Sequence, residues 1–176
     1  MAVMEIKTLG EDVLRQVAEP VRKVNAEIKQ LIEDMFETMY QANGVGLAAP
    51  QVGIGKRVIV LDVGDGEPFA LVNPVLVKGI GEYDDQEGCL SVPGVYAPVK
   101  RYKKVLVKGR NEKDRAVVVE ATGLLARALQ HEIDHLDGKM FVDYVEDQLT
   151  LENDLADMRR RLAEEKKTQA GVSTSA

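Results

Sequence analysis

The chain contains two histidines, and both fall in one five-residue string, His131-Glu132-Ile133-Asp134-His135, while its single cysteine, Cys89, stands upstream in Glu87-Gly88-Cys89-Leu90-Ser91. On a helix, positions i and i+4 share a face, so the two imidazoles can grip one ion while Glu132 projects beside it toward a bound water. A fold that uses this string must build a helix over it and carry that helix against the segment that supplies the third ligand. A zincin-type metallopeptidase shares His-Glu-x-x-His but takes its third ligand downstream of the pair. Asp137, Asp143 and Glu146 lie downstream here, yet a third histidine does not exist, and Cys89 is the more economical partner. Three protein ligands leave one position of a tetrahedral ion open for water, which suits a metal hydrolase. Taken singly, a helix histidine is more often a hydrogen-bonded core residue and a cysteine a small buried hydrophobe; the shared spacing is what favours metal.

A length of 176 residues with 45% hydrophobic content is enough for one domain with a buried core. The expected unit is a single catalytic domain over 1–167, followed by a disordered tail over 168–176. A formal charge of -6 argues against general nucleic-acid binding through phosphate contacts, and no specific DNA binding is expected. A lone cysteine forms no internal disulfide, and the first thirty residues show neither a secretory nor a transit pattern, so a reduced, cytoplasmic setting is expected. No apolar run approaches the roughly 20 residues that cross a bilayer, and no membrane insertion is expected.

Asn25 is placed to cap a helix whose apolar residues Ile28, Leu31, Ile32, Met35, Phe36 and Met39 recur at helical spacing up to Ala42. The glycine-rich segment Asn43 to Gln51 then breaks the pattern and reads as a substrate-binding loop. Arg57 to Val63 and Phe69 to Val77 read as a strand pair, with Pro74 confined to an edge or irregular position. Further strands are expected over Val99 to Lys108 and Ala116 to Glu120, before Thr122 caps the histidine helix. A last helix is expected from Leu149 to Lys166, with Leu151, Leu155, Met158 and Leu162 along one stripe. The fold class is α+β: antiparallel strands packed around a central metal-binding helix, with an N-terminal and a C-terminal helix.

Three separated motifs, Gly44-Val45-Gly46-Leu47-Ala48-Ala49-Pro50-Gln51, Glu87-Gly88-Cys89-Leu90-Ser91 and Gln130-His131-Glu132-Ile133-Asp134-His135, resemble those of the peptide deformylase family, in the family's order. The resemblance extends from Leu14-Arg15 and Pro20-Val21 through Tyr144, and the helical tail is similar to that of bacterial members. It implies removal of the formyl group from the N-terminal formylmethionine of nascent polypeptides, with release of formate. Under it, Cys89, His131 and His135 are the metal ligands, holding one divalent ion that lowers the pKa of bound water, to about 7 in zinc sites. Glu132 becomes the general base. Gln51 and the Leu90 backbone N–H become the donors to the developing oxyanion. Gly44, Val45 and Gly46 would pair with the substrate main chain like an added strand. Val45, Leu124, Ala128 and Leu90 would line a methionine pocket, since positions 124, 128, 131 and 135 share a helix face. Glu87 and Arg101 match a supporting ion pair that stiffens the Cys89 loop.

The resemblance also implies Fe2+ as the cellular ion, although a thiolate with two imidazoles also suits Zn2+, Ni2+ or Co2+. Two positions depart from the pattern: Tyr96 stands where many relatives carry an arginine, and Arg127 where bacterial members place an apolar pocket residue. The Arg127 stem is expected to cover apolar surface with its head in water. The family's C-terminal helix is associated with the ribosome, so Arg159 to Arg161, Lys166 and Lys167 are a possible contact, interrupted by Glu164 and Glu165. The alternatives weighed are a His-Glu-x-x-His metallopeptidase, which lacks its downstream ligand, and a non-catalytic formyl-peptide binder, disfavoured because Gln51, Glu132 and all three ligands are present.

Overall fold

In this computed structural model, residues 2–174 are described, with side chains through 170. Five antiparallel strands form one sheet in the order β1-β2-β3-β4-β5: Gly46–Ala48, Val58–Leu61, Phe69–Cys89, Val92–Arg110 and Ala116–Thr122. The helices are α1 (Ala26–Gln41), α2 (Gly123–Leu136) and α3 (Gln148–Thr174). This is the α+β arrangement read from the residue pattern.

Every residue of β2 is buried, because the strand has a helix on each face. Val58 and Val60 pack with Ile28, Ile32, Met35 and Met39 of α1, whereas Ile59 and Leu61 face Ala126, Leu129 and Ile133 of α2. The period-2 alternation of a strand thus feeds two cores. Asn25 caps α1 as expected, its side chain accepting from the Ile28 N–H at 3.0 Å. Thr122 occupies the equivalent position before α2 but makes no capping bond; Gly123, at φ +59°, turns the chain from strand into helix.

Strand β3 runs straight through Pro74 and ends far beyond the expected Val77. Proline lacks an N–H, and the ladder absorbs this with a register shift between Val72 and Val75, where Asn73 adopts φ +52° and clasps the Val21 N–H and C=O with its amide. The polar stretch from Glu82 to Glu87 has no strand-like composition, yet pairing with β4 makes it one. The β3–β4 hairpin closes through Leu90 and Ser91, so that Cys89 pairs with Val92 at its tip.

A third core gathers Val92, Val95, Ala97 and Val99 of β4 under Phe141 and under Leu151 and Met158 of α3. The stripe expected on α3 is the face that packs, with Leu155 and Leu162 partly buried against the same cluster. The helix continues past Lys166 to Thr174, into the stretch 168–176 expected as a tail; residues 175 and 176 lie outside the described residues. Alanine, glutamate, lysine and glutamine dominate 163–170, and their helix propensity favours continuation without tertiary contacts.

Leu129 is fully buried where α2 meets the sheet. Leu129→Ala should lower the unfolding free energy by about 2–5 kcal/mol, read by urea titration.

Candidate active site

Period 2 along β3 places Glu87 and Cys89 on the same face of the strand, toward α2. The partner strand carries the compensating irregularity between Glu87 and Cys89, where Gly94 sits at φ +75° in β4. Tyr96 of this segment lays its ring over Gly88, and a Cβ on Gly88 would come within 2.5 Å of that ring. A larger residue there would have to displace the exposed Tyr96 ring.

Cys89, His131 and His135 converge, their ligand atoms all within 4.8 Å of one another. Cys89 Sγ lies 3.3 Å from His135 Nε2, and the two Nε2 atoms are 3.2 Å apart. Bonds of about 2.0–2.1 Å to nitrogen and about 2.3 Å to sulfur around a tetrahedral ion separate ligand atoms by roughly 3.3–3.6 Å. The three side chains are thus spaced to hold one divalent ion. His131 donates from Nδ1 to Glu87 Oε1 at 2.6 Å, which turns its Nε2 lone pair toward the other two ligands. Burial by itself lowers the His131 pKa, but Glu132, Cys89 and Glu87 outweigh it and hold the value well above normal. His135 is driven well below normal by burial and by His131 beside it. Two adjoining buried imidazoles do not both carry charge.

Glu132 follows His131 on α2 and is 4% exposed; its Oε1 is buried and has no hydrogen-bond partner. Burial raises its pKa to about 7, against the opposing pull of His131. A carboxylate poised near neutrality beside a ligand triad suits proton transfer in both directions. Gly46 explains how the chain reaches it: a Cβ there would stand 2.5 Å from Glu132 Oε2, so the backbone of β1 lies directly against the carboxylate.

Gln51 lies in the 3-10 turn Ala49–Val52 that follows β1. Its Oε1 accepts from the Ala48 N–H at 2.9 Å, which fixes the amide so that Nε2 points to Cys89 Sγ (3.5 Å) and Ser91 Oγ (3.1 Å). Leu90 follows Cys89 in the hairpin turn, with its side chain against Gly44. A cavity of about 440 Å³ connects these groups. Gly44 and Val45 line it from the turn before β1, Gly46 from β1 itself, and Leu124, Ala128, His131 and Glu132 from α2, with Cys89 at the hairpin tip. Volume alone does not single it out, since a concavity of about 480 Å³ beside Glu19 and Lys56 holds no such chemistry. The segment read as a loop, Asn43 to Gln51, contains an edge strand instead.

The carboxylate of Glu87 is more than half of an ion pair. It accepts from Arg101 Nε (3.1 Å) and Nη2 (2.7 Å), from His131 Nδ1 and from Arg127 Nη1 (2.9 Å). Burial pushes its pKa up, but the bonds from His131 and Arg101 prevail and hold it at about 2. Arg101 reaches on to Asp134 Oδ2 at 2.6 Å. The Arg127 head is not in water: it is 4% exposed, donates to the Val99 and Tyr83 carbonyls at 2.7 and 3.1 Å, and stacks over the Tyr83 ring at 4.8 Å. The hairpin offers a carboxylate and two carbonyls to the guanidinium, and burial with three acceptors is preferred to solvation of the head alone. Gln130, Ser91 and Asp134 were likewise not singled out as contributors. Arg127, Gln130, His131 and Asp134 recur at i, i+3, i+4 and i+7, a polar stripe on a buried helix, and that periodicity was the available signal.

Residues 3–150 match the family described as Polypeptide deformylase. The chain belongs to the polypeptide deformylase family. It is 52% identical over 143 residues to a peptide deformylase of Desulfitobacterium hafniense, covering 81% of this chain and 95% of the relative. It is 54% identical over 146 residues to that of Heliobacterium modesticaldum, covering 83% and 96%. The crystal structure of a peptide deformylase from Legionella pneumophila superposes with a TM-score of 0.85 at 43% identity, covering 96% of this chain and 98% of that one. The Synechococcus elongatus enzyme in complex with actinonin gives 0.85 at 46% identity, covering 88% and 85%. Deformylases of this family are metal-dependent, in keeping with the Cys89, His131 and His135 cluster.

Two outcomes follow from the geometry. Gly46→Ala should displace Glu132 and lower kcat while leaving bound metal, measured by elemental analysis, unchanged. Glu87 has a depressed folded-state pKa, so its stabilising charge is complete above about 4.5 and is lost as pH falls toward about 2. Across that window the urea midpoint of the wild type should fall more steeply than that of Glu87→Gln.

Proposed function

We propose that Glu132 acts as the general base of a metal-dependent deformylase, the hydrolase that removes the formyl group from the N-terminal formylmethionine of nascent polypeptides and releases formate. The observation that carries this assignment is the unpartnered, buried Glu132 oxygen beside the triad of Cys89, His131 and His135, at the base of a cavity walled by an open strand edge. An ion held by the triad supplies positive charge that polarises the formyl oxygen and acidifies water. Glu132 takes a proton from the attacking water and returns it to the leaving amine, the two transfers an amide hydrolysis needs. The Gln51 amide, locked by the Ala48 N–H, and the Leu90 N–H direct donors at the oxygen where charge develops.

The outer edge of β1 receives the substrate main chain around Gly44 and Gly46, so that backbone pairing tolerates many sequences. Val45, Leu124 and Ala128 take the methionine side chain. Val45 and Leu124 are 40% and 53% exposed, apolar surface that a bound side chain would cover. Fe2+ is the working ion in this reading and the cytoplasm its compartment; among the described residues no helix is long and apolar enough to cross a membrane. Contact with the ribosome would run through the exposed side of α3. Arg161 there is engaged with Pro93 O and Arg160 with Asp157, which leaves Arg159, Lys166 and Lys167 as the stronger candidates.

Formate release from formyl-Met-Ala-Ser by anaerobically purified protein tests the central assignment. Glu132→Gln should lose about 100- to 10,000-fold in kcat with metal content unchanged; retention of activity in that variant would remove Glu132 from the reaction. The iron form should lose activity in air through oxidation of the ion or of Cys89, while a nickel form persists. Reversing Arg159, Lys166 and Lys167 to glutamate should weaken ribosome co-sedimentation, and unchanged binding counts against docking through α3.

A further inference from the structure

We propose that Arg127 is a positioning residue for the metal centre, setting both the His131 ring and the distance of the Cys89 hairpin from α2. The inference rests on the reading of Cys89, His131 and His135 as the metal ligands and goes beyond it by naming what holds them in register. The three ligands come from two elements that nothing covalent joins nearby: Cys89 from the tip of the β3–β4 hairpin, both histidines from α2. Their spacing therefore depends on what ties hairpin to helix.

Arg127 makes that tie at three points. Its guanidinium donates to Tyr83 O on β3, to Val99 O on β4 and to Glu87 Oε2, with the face of the group on the Tyr83 ring. Asp85 pairs with Val99 and Glu87 with Ala97, so the clamp grips both strands within a few residues of Cys89. One planar fork reaching a carboxylate and two strand carbonyls fixes translation and rotation of the hairpin together, which a point cation cannot do. The Glu87 contact adds an electrostatic consequence. The carboxylate that orients His131 through Oε1 is gripped at both oxygens by Arg101, Nη2 on Oε1 and Nε on Oε2, and Arg127 adds a second donor to Oε2. Without Arg127, Oε2 keeps only the 3.1 Å bond from Arg101 Nε and α2 loses its ties to the Val99 and Tyr83 carbonyls, so the hairpin, with Glu87 on it, can shift against the His131 ring.

Arg127 also lines the substrate cavity, so a rival role exists: a pocket wall that touches substrate and nothing else. The two roles separate experimentally. Arg127→Met keeps the stem and removes the fork; Arg127→Lys keeps charge and stem. Metal affinity is measured by chelator competition with Zn2+, ligand geometry by the visible spectrum of the Co2+ form, and kcat and KM with formyl-Met-Ala-Ser. Arg127→Met should bind Zn2+ about 10- to 100-fold more weakly, show an altered Co2+ spectrum and lose kcat, with Arg127→Lys intermediate. Wild-type metal affinity and spectrum in either variant, with the change confined to KM, would overturn the proposal. Should Arg127→Met not fold, Arg127→Lys decides alone: affinity at the wild-type level refutes the need for the fork. A wild-type protein that binds no stoichiometric metal would instead undo the ligand assignment itself, a separate outcome.

Discussion

A buried carboxylate is costly unless every lone pair is met, and Glu87, 6% exposed, meets that condition with four donor atoms from two arginines and a histidine. Those donors come from different elements, β4 and α2, while Glu87 itself belongs to β3. The cluster therefore joins a long hairpin to a helix at the one place where the ligand triad must be assembled. Asp134 balances Arg101 on the far side, so that two arginines face two carboxylates. The polar stripe of α2 is spent on the hairpin: Gln130 continues the pattern by bonding the N–H and C=O of Tyr102, where β4 has β3 on one side only because pairing with β5 begins at Lys104. Apolar faces of the same helix supply the core, and a third face, with His131, His135 and Glu132, supplies the chemistry.

The contrast between Glu87 and Glu132 defines the site. Both are buried carboxylates on either side of His131, yet Glu87 is saturated with donors and held acidic, whereas Glu132 has an oxygen with none and is raised toward neutrality. One carboxylate remains ionised and orients; the other is poised to exchange a proton. Their neighbours make the difference: Arg101 of β4 and Arg127 of α2 bring guanidinium groups to Glu87, whereas the backbone of Gly46 in β1 lies against Glu132.

Much of this was legible in the residue pattern, and the remainder was hidden for definable reasons. Helices α1 and α2 and the ligand triad follow from apolar periodicity, an asparagine cap and the spacing of two histidines, all local signals. The strand over Gly46–Ala48 has no signal of its own, because three small or apolar residues in a glycine-rich segment carry no alternation; only pairing with Val60 and its neighbours reveals it. The length of β3 was underestimated because its second half is polar, and its strand character comes from β4 alone. Arg127 was taken for a surface stem because its acceptors, two backbone carbonyls and a distant glutamate, are brought by tertiary structure. The continuation of α3 reflects propensity alone, where burial had been sought.

The brevity of β1 has a consequence for how the protein meets other extended chains. An unpaired strand edge is a template for any segment with free amides, including another copy of the same molecule. Here the edge spans Gly46–Ala48, recessed in a cavity and flanked by a helix and the hairpin turn. It has room for the first residues of a flexible terminus but not for the long, flat pairing that drives self-association. An edge of three residues offers little hold for the extended pairing by which two folded copies would zip together.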